Sequence, residues 1–184
     1  MSCAVAFAAM GAGAPAQAAT LCELTAGLIG CPAPSAPSGP PSFYRSMAVS
    51  GAKVDAKTAA SMISGFRRNS GLGMVSLDPH LMRMAEEQAR AMASRNRFEH
   101  DAAGPFAQRL KRSGYDAKIA VENIGAGYHT LAEAFSGWRD SPQHRANMLR
   151  SGVTKMGIAA AYAPQSKYKV FWALILAAPD DRRG

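Results

Sequence analysis

The sequence predicts an α+β fold in which several helices pack against a sheet of two or three strands. Two observations lead to this prediction. Apolar residues recur at helical spacing between residues 55 and 149, and the pattern changes to that of strands after residue 153. The composition agrees with one packed domain, because 48% of the 184 residues are hydrophobic and 18% are charged.

The first two predicted helices begin at residues that suit helix N-termini. Asp55 is a candidate N-cap, and Asp78 followed by Pro79 combines an N-cap with proline at the first helical position. The apolar faces consist of Ala59, Met62, Ile63 and Phe66 in the first helix, and of Leu81, Met84, Ala85 and Met92 in the second. The polar turn at residues 69–71 ends the first helix, and the second ends near Arg97.

Three shorter helices are predicted further along the chain, over residues 105–111, 130–138 and 142–149. Thr130 and Glu133 form a capping box at the start of the second of these. Its apolar face consists of Leu131, Ala134, Phe135 and Trp138. Ser141 followed by Pro142 restarts the helical pattern, which ends before Gly152.

The strands are predicted from two different patterns. In one segment apolar and small residues alternate around Ile158, Ala160 and Tyr162. Residues 168–177 are instead almost continuously apolar, which is typical of a strand buried on both faces. A third strand is expected near residues 119–124.

The N-terminal region does not resemble a packed domain. Residues 1–19 carry no charge and place Ala16 and Ala18 as in a signal-peptidase site, so we expect a cleaved signal peptide. Residues 20–50 would hold a disulfide loop between Cys22 and Cys31, followed by a proline-rich linker. The folded domain would then occupy residues 51–178, and residues 179–184 form a charged tail.

These features predict a secreted or periplasmic protein. An alternative is lipidation of Cys31, because the segment Leu28-Ile29-Gly30-Cys31 has the letters of a lipobox. Glu23 argues against lipidation, since it would place a charge inside the required hydrophobic run. The body of the chain holds no apolar run of 18 residues, so no transmembrane helix is expected in the mature protein.

The chain is strongly basic, with a net charge of +8 and a pI of about 9.8. Such a surface attracts anionic partners. In an exported protein these would be acidic glycans or anionic envelope lipids rather than nucleic acid. We interpret the cations at two helix ends, Arg67-Arg68 and Arg109 with Lys111 and Arg112, as complements of the helix dipole. An anion-binding patch is the alternative.

Three residues could form a functional site. His100 lies between Glu99 and Asp101, His144 begins the run His-Arg-Ala-Asn, and Glu122 precedes Asn123. Two imidazoles and a carboxylate can bind a divalent ion such as Zn²⁺ with an open position for water, or can provide a general base with a residue that orients it. The spacing matches no local zinc motif, so two structural histidines and an ion-paired glutamate remain an alternative.

A series of spaced motifs also runs along the chain. They are Phe98-Glu99-His100-Asp101, Pro105-Phe106, Arg109-Leu110, Gly114-Tyr115, Glu122-Asn123-Ile124, Trp138, Ser141-Pro142-Gln143-His144-Arg145-Ala146-Asn147-Met148-Leu149 and Gly157-Ile158. The series resembles the bacterial branch of the CAP superfamily, also called the SCP domain, which includes cysteine-rich secretory, antigen 5 and pathogenesis-related proteins. The resemblance covers about two-thirds of the chain.

This resemblance implies a three-layer α-β-α sandwich with a cavity where His100, Glu122 and His144 meet. Asn123 is expected to orient the loop that carries Glu122, and Asp101 is a second supporting residue. The animal and plant branch has two histidines and two glutamates in its cavity, and some members bind zinc there. This chain has Ser141 at the position of the second glutamate. The full set of four is therefore absent.

The motifs leave three functions open. We expect an exported, monomeric, non-enzymatic binding module whose His/Glu cavity takes a small molecule, a lipid, an envelope component or a divalent ion, with no cofactor required. One alternative is a metal-assisted hydrolase that uses His100, His144 and Glu122. The other is a basic protein that binds envelope polyanions, whose binding would weaken with salt.

Overall fold

The computed structural model describes residues 39–180, and a four-stranded sheet with five α-helices forms its framework. The helices are α1 (Ala56–Arg68), α2 (Pro79–Arg95), α3 (Phe106–Arg112), α4 (Leu131–Asp140) and α5 (Pro142–Met148). The strands are β1 (Ser76–Leu77), β2 (Ala117–Ala126), β3 (Lys155–Tyr162) and β4 (Val170–Pro179). A short 3₁₀ helix, Ser42–Tyr44, precedes α1.

Three of the helices, α1, α2 and α4, begin where a local side chain accepts hydrogen bonds from free backbone N–H groups. The Asp55 carboxylate accepts a hydrogen bond from the Thr58 N–H, and this bond, together with those from the Ser42 and Thr58 hydroxyls, lowers the pKa of Asp55 to about 2. Asp78 caps α2 in the same way, and Thr130 with Glu133 forms the predicted capping box of α4. The three predicted caps, Asp55, Asp78 and Thr130, are confirmed. Helix α2 ends slightly earlier than predicted, because Asn96 adopts a left-handed conformation with φ of 50°.

The strands are arranged in the order β1-β3-β4-β2. Strand β4 pairs antiparallel with both β3 and β2, whereas β1 pairs parallel with β3. Residues 170–178 are buried along β4, as predicted for a strand covered on both faces. Strand β2 lies at one edge of the sheet. Its edge position decides where the candidate site lies.

Helices cover both faces of this sheet, which gives the expected α-β-α sandwich. On one face, α1, α4 and α5 pack through Ile63, Trp138 and Met148 against Trp172 and Leu174 of β4. On the other face, α2 contributes apolar residues that pack against β4. These are Leu81, Met84, Ala85, Ala89 and Met92. The three-layer architecture predicted from the sequence is confirmed.

Helix α2 approaches β3 so closely that a glycine is required between them. A Cβ atom added at Gly157 would lie 2.1 Å from the Leu81 carbonyl carbon and 2.4 Å from the Met82 nitrogen. Backbone atoms cannot move aside as a flexible side chain can. Gly157 therefore sets the distance between the helix and the sheet.

The packed region extends further toward the N-terminus than residue 51. Met47 is buried in the core, its N–H donates to the His129 carbonyl at 2.6 Å, and the Ser42 hydroxyl lies 2.9 Å from that of Thr58. Strand β4 also continues to Pro179, one residue into the expected tail. The expected signal peptide, the Cys22–Cys31 loop and the lipobox lie outside the described residues.

Arg67 differs from its sequence interpretation. Its guanidinium is buried and donates to four backbone carbonyls. The acceptors are Gly73 at 2.8 Å, Met148 and Arg150 at 2.9 Å, and Val153 at 3.1 Å. Burial lowers the pKa of Arg67. Arg67 lies in the last turn of α1, as predicted, but its side chain is not placed for the helix dipole: it joins α1 to the end of α5 and the segment that follows.

Candidate functional site

The candidate site lies at the free edge of β2, where the two helical layers approach each other. Successive residues of a strand face opposite sides of the sheet, so the side chains of Glu122 and Asn123 point toward different helical layers. Glu122 faces the side of α3 and the loop after α2. Asn123 faces α5, which carries His144.

Glu122 forms the centre of a buried charged cluster. Its Oε1 lies 2.9 Å from His100 Nδ1, and its Oε2 accepts a hydrogen bond of 2.7 Å from Arg109 Nη2. The side chains of Glu122 and Arg109 are 3% and 0% exposed, whereas that of His100 is 57% exposed. A carboxylate accepts rather than donates, so the Nδ1 of His100 carries hydrogen and its Nε2 is left for other partners.

Two buried side chains, Gln88 and Arg109, hold the loop that carries His100. Gln88 of α2 donates through Nε2 to the Glu99 carbonyl at 2.7 Å and to the His100 carbonyl at 3.1 Å. Arg109 also donates to the His100 carbonyl at 3.1 Å and to the Gly104 carbonyl at 2.9 Å. The backbone of His100 is therefore fixed from two helices.

His144 is positioned from the other side of β2. Asn123 donates through Nδ2 to the His144 carbonyl at 2.9 Å. Asn147, one turn later on α5, donates to Asn123 Oδ1 at 2.9 Å and to the Glu122 carbonyl at 3.2 Å. The two amides thus connect α5 to the free backbone edge of β2.

The two imidazoles are close enough to influence each other electrostatically. Burial lowers the pKa of His144, and the neighbouring His100 lowers it further. Both effects disfavour the charged form, so His144 is kept neutral at neutral pH. A neutral imidazole can accept a hydrogen bond or bind a metal ion.

The donor atoms fit a metal ion only in part. Zinc-binding histidines commonly donate their second ring N–H to a carboxylate, as His100 does to Glu122. Both oxygens of Glu122 are already engaged, so this side chain is placed to orient His100 rather than to act as a ligand. Within residues 39–180, no group of three or more His, Cys, Asp or Glu side chains is arranged to hold a metal ion.

The remaining predicted residues lie around this cluster. Asp101 is exposed at the start of the turn after His100, and its carbonyl accepts from the Gly104 N–H at 2.7 Å. Ser141 separates α4 from α5 and donates its backbone N–H to Gly137. Trp138 is a core residue, as predicted, and its Nε1 donates to the Ile124 carbonyl at 3.0 Å.

Sequence reasoning missed the roles of Arg109, Gln88 and Asn147. Arg109 lies in the last turn of α3, as predicted, but its side chain is buried against Glu122 and is not placed for the helix dipole. One available signal was its position three residues after Phe106, which places both on the inner face of α3. Gln88 likewise lies one turn after the core residue Met84.

The comparison with protein families decides the identity of the domain. The model described as "Cysteine-rich secretory protein family", or CAP, matches residues 60–176, which is more than half of the chain. The chain belongs to the CAP family. A bacterial relative, the uncharacterized protein YkwD of Bacillus subtilis (strain 168), is 30% identical over 105 residues. The match covers 55% of this chain and 40% of YkwD, so this chain spans less than half the length of that relative.

Two solved structures have folds similar to that of this chain. An extracellular protein containing an SCP domain from Bacillus anthracis str. Ames has a TM-score of 0.58 at 24% identity, covering 66% of this chain and 39% of that one. An outer surface protein from Borrelia burgdorferi has a TM-score of 0.61 at 19% identity, covering 71% of this chain and 99% of that one. The CAP fold predicted from the motifs is therefore confirmed.

Proposed function

We propose that this CAP protein is an exported, non-enzymatic binding module whose ligand is held between His100 and His144. The observation that supports binding over catalysis is the arrangement around Glu122. Each of its oxygens accepts a short contact, one from His100 and one from the buried Arg109. To act as a general base, Glu122 would have to leave a buried arginine without its partner, which costs several kcal/mol.

The geometry indicates what kind of ligand would bind. His100 presents its Nε2 from a side chain that is 57% exposed, and His144 supplies a half-buried neutral ring. Such a pair suits a small polar group or the headgroup of a lipid or envelope component. It would also suit a divalent cation such as Zn²⁺, held by the two imidazoles while Glu122 orients His100.

Export is supported by features outside the site. The charge-free N-terminal segment has a signal-peptidase pattern. Two structurally similar proteins are described as extracellular and as an outer surface protein. Within residues 39–180, no helix has the length and hydropathy needed to cross a membrane.

The first experiment is a calorimetric titration of Zn²⁺ into the protein and its His100→Ala, His144→Ala double variant. The matched control is His129→Ala, because His129 is an exposed histidine outside the cluster. One-to-one binding that the control retains and the double variant loses would support the site. Binding that survives in the double variant would contradict it.

If Zn²⁺ does not bind, the same variants are tested against vesicles of anionic envelope lipid. Binding that depends on His100 and His144 would support a metal-free pocket. Equal binding by the protein and its double variant would reject the site assignment, and the basic surface would then explain the association.

A metal-assisted hydrolase is the second candidate. It is favoured by the placement of His144 near His100, because burial and His100 both lower the pKa of His144 and so favour a ring that can bind a metal ion. In this case Glu122→Gln should lower the turnover of a peptide, ester or phosphodiester substrate at least about 100-fold, as expected for the loss of a general base. A chelator should also abolish turnover. Absence of turnover on all three substrate classes would reject this candidate.

A further inference from the structure

The other edge of the sheet is only partly covered, and this feature is independent of the proposed function. Strand β1 covers only the beginning of β3, because Ser76 pairs with Lys155 and Leu77 with Met156. Its cover ends with the bond from the Asp78 N–H to the Met156 carbonyl. In the described part of the chain, no strand pairs with this edge of β3 beyond Met156.

The register identifies which backbone groups face this open edge. The Ala163 N–H donates to the Lys169 carbonyl at 2.7 Å, which continues the β3–β4 register. Bonded residues alternate in an antiparallel ladder, so Ala160 and Tyr162 direct their N–H and C=O groups away from β4. The Ile158 N–H has the same direction, and it contacts the Met82 sulfur at 3.3 Å.

A groove follows this edge. It has a volume of about 610 Å³ and lies between the segment 49–54 and helix α2, with residues 158–162 of β3 as its floor. A second depression of about 540 Å³ continues it past Tyr162 toward residues 163–166. The two share Arg90, Ala161, Tyr162 and Pro164, so together they form one groove that runs beside several residues of the extended strand β3.

The walls combine apolar contacts with positive charge. Val54, Met82 and Ile158 provide apolar surface in the first depression. The charged residues of that depression are Lys53, Arg83, Glu86 and Arg90. Three of the four are cations, and the single anion, Glu86, is paired with Arg90 at 2.6 Å. An extended segment with acidic side chains is complementary to these walls.

We propose that this groove binds an extended acidic peptide segment of another protein, which adds to the sheet beside β3. The peptide backbone would pair with the free groups of Ala160 and Tyr162, as in recognition by strand addition. Because successive side chains of an extended segment point to opposite sides, acidic side chains on one side would face Arg83 of α2, and apolar side chains on the other would contact Val54, beside Lys53.

The test uses a fluorescein-labelled peptide of four Val-Glu repeats, with a Val-Lys peptide of equal length as its control. Fluorescence anisotropy measures binding to the full chain. We expect the Val-Glu peptide to bind at least about tenfold more tightly than the Val-Lys peptide, and its binding to weaken with salt. Equal binding of the two peptides, or no binding of the Val-Glu peptide, would overturn the proposal.

Two variants separate backbone pairing from charge. Ala160→Pro removes the outward N–H without removing a bond to β4, and proline is tolerated at sheet edges. We expect it to weaken peptide binding about tenfold or more, which corresponds to the loss of a hydrogen bond that leaves its partner unsatisfied. Circular dichroism verifies that Ala160→Pro is folded.

The double reversal Arg83→Glu, Lys53→Glu tests the charge without changing the strand. Arg68→Glu, an exposed reversal on α1 outside the groove, is its matched control. Peptide binding should be lost in the double reversal and retained in the control. Unchanged binding in both the Ala160→Pro and the double-reversal variants would overturn the proposal. So would a concentration-dependent dimer that Ala160→Pro abolishes, because the occupant of the edge would then be a second copy of the chain.

Discussion

Replacing Arg109 with methionine should lower the free energy of unfolding by about 3–5 kcal/mol, the range for breaking a buried ion pair by removing one partner. Methionine retains much of the length of the side chain but leaves Glu122 without its cation. The pair is almost wholly buried, with exposures of 0% for Arg109 and 3% for Glu122. The carbonyls of His100 and Gly104 would lose donors as well.

Chemical denaturation followed by tryptophan fluorescence measures this loss directly. The chain has two tryptophans, Trp138 and Trp172, and both are buried in the core. Their emission therefore reports unfolding of the sandwich. At roughly 2–4 °C per kcal/mol for a domain of this size, the same variant should melt roughly 6–20 °C lower than the parent protein.

Arg112→Met is the matched control, because Arg112 lies on the same helix and forms an exposed ion pair with Glu87 at 2.6 Å. That pair should contribute about 0–1 kcal/mol. Adding Glu122→Gln to Arg109→Met should recover part of the loss, since no buried charge then lacks a partner. Equal destabilisation by Arg109→Met and Arg112→Met would refute the assignment of a buried, stabilising pair.

Three further predictions follow from packing and titration. Gly157→Ala should destabilise the fold by about 1–3 kcal/mol or more in the same denaturation assay, because the added Cβ would overlap the backbone of α2. Gly65→Ala is its control: nothing lies near the added Cβ in the interior of α1, so this change should stabilise the fold by about 0.5–1 kcal/mol. Trp138→Ala should lower the free energy of unfolding by about 3–5 kcal/mol. A loss smaller than that caused by Tyr44→Ala, at an exposed aromatic residue, would contradict the core position of Trp138. NMR titration should show the pKa of His144 below its ordinary value of about 6.5, and His100→Gln should raise it in part. Because the folded pKa is lowered, stability should fall as the pH decreases from about 6.5 to that pKa, and a slope of opposite sign would reject the assignment.

The elements that the sequence predicted correctly depend on interactions between near neighbours. Asp55, Asp78 and Thr130 each bond to N–H groups two or three residues away, so their role as helix caps can be deduced from a few letters. The continuous apolar run of β4 likewise identifies a strand with helices on both sides. The order of the motifs then indicated the family.

Other features depend on segments that are far apart in the chain. Arg67 and Arg109 occupy helix-end positions that suit surface cations, and only the folded chain brings distant carbonyls and a buried carboxylate to them. The two-residue strand β1 is too short to carry a pattern, and it exists because it pairs with β3. Local patterns and motif order were sufficient for the five helices, the three longer strands, the sandwich and the choice of Glu122, His100 and His144 as candidates. The engagement of Glu122 by Arg109 and the open edge of β3 emerged only on folding, because both depend on contacts between distant parts of the chain.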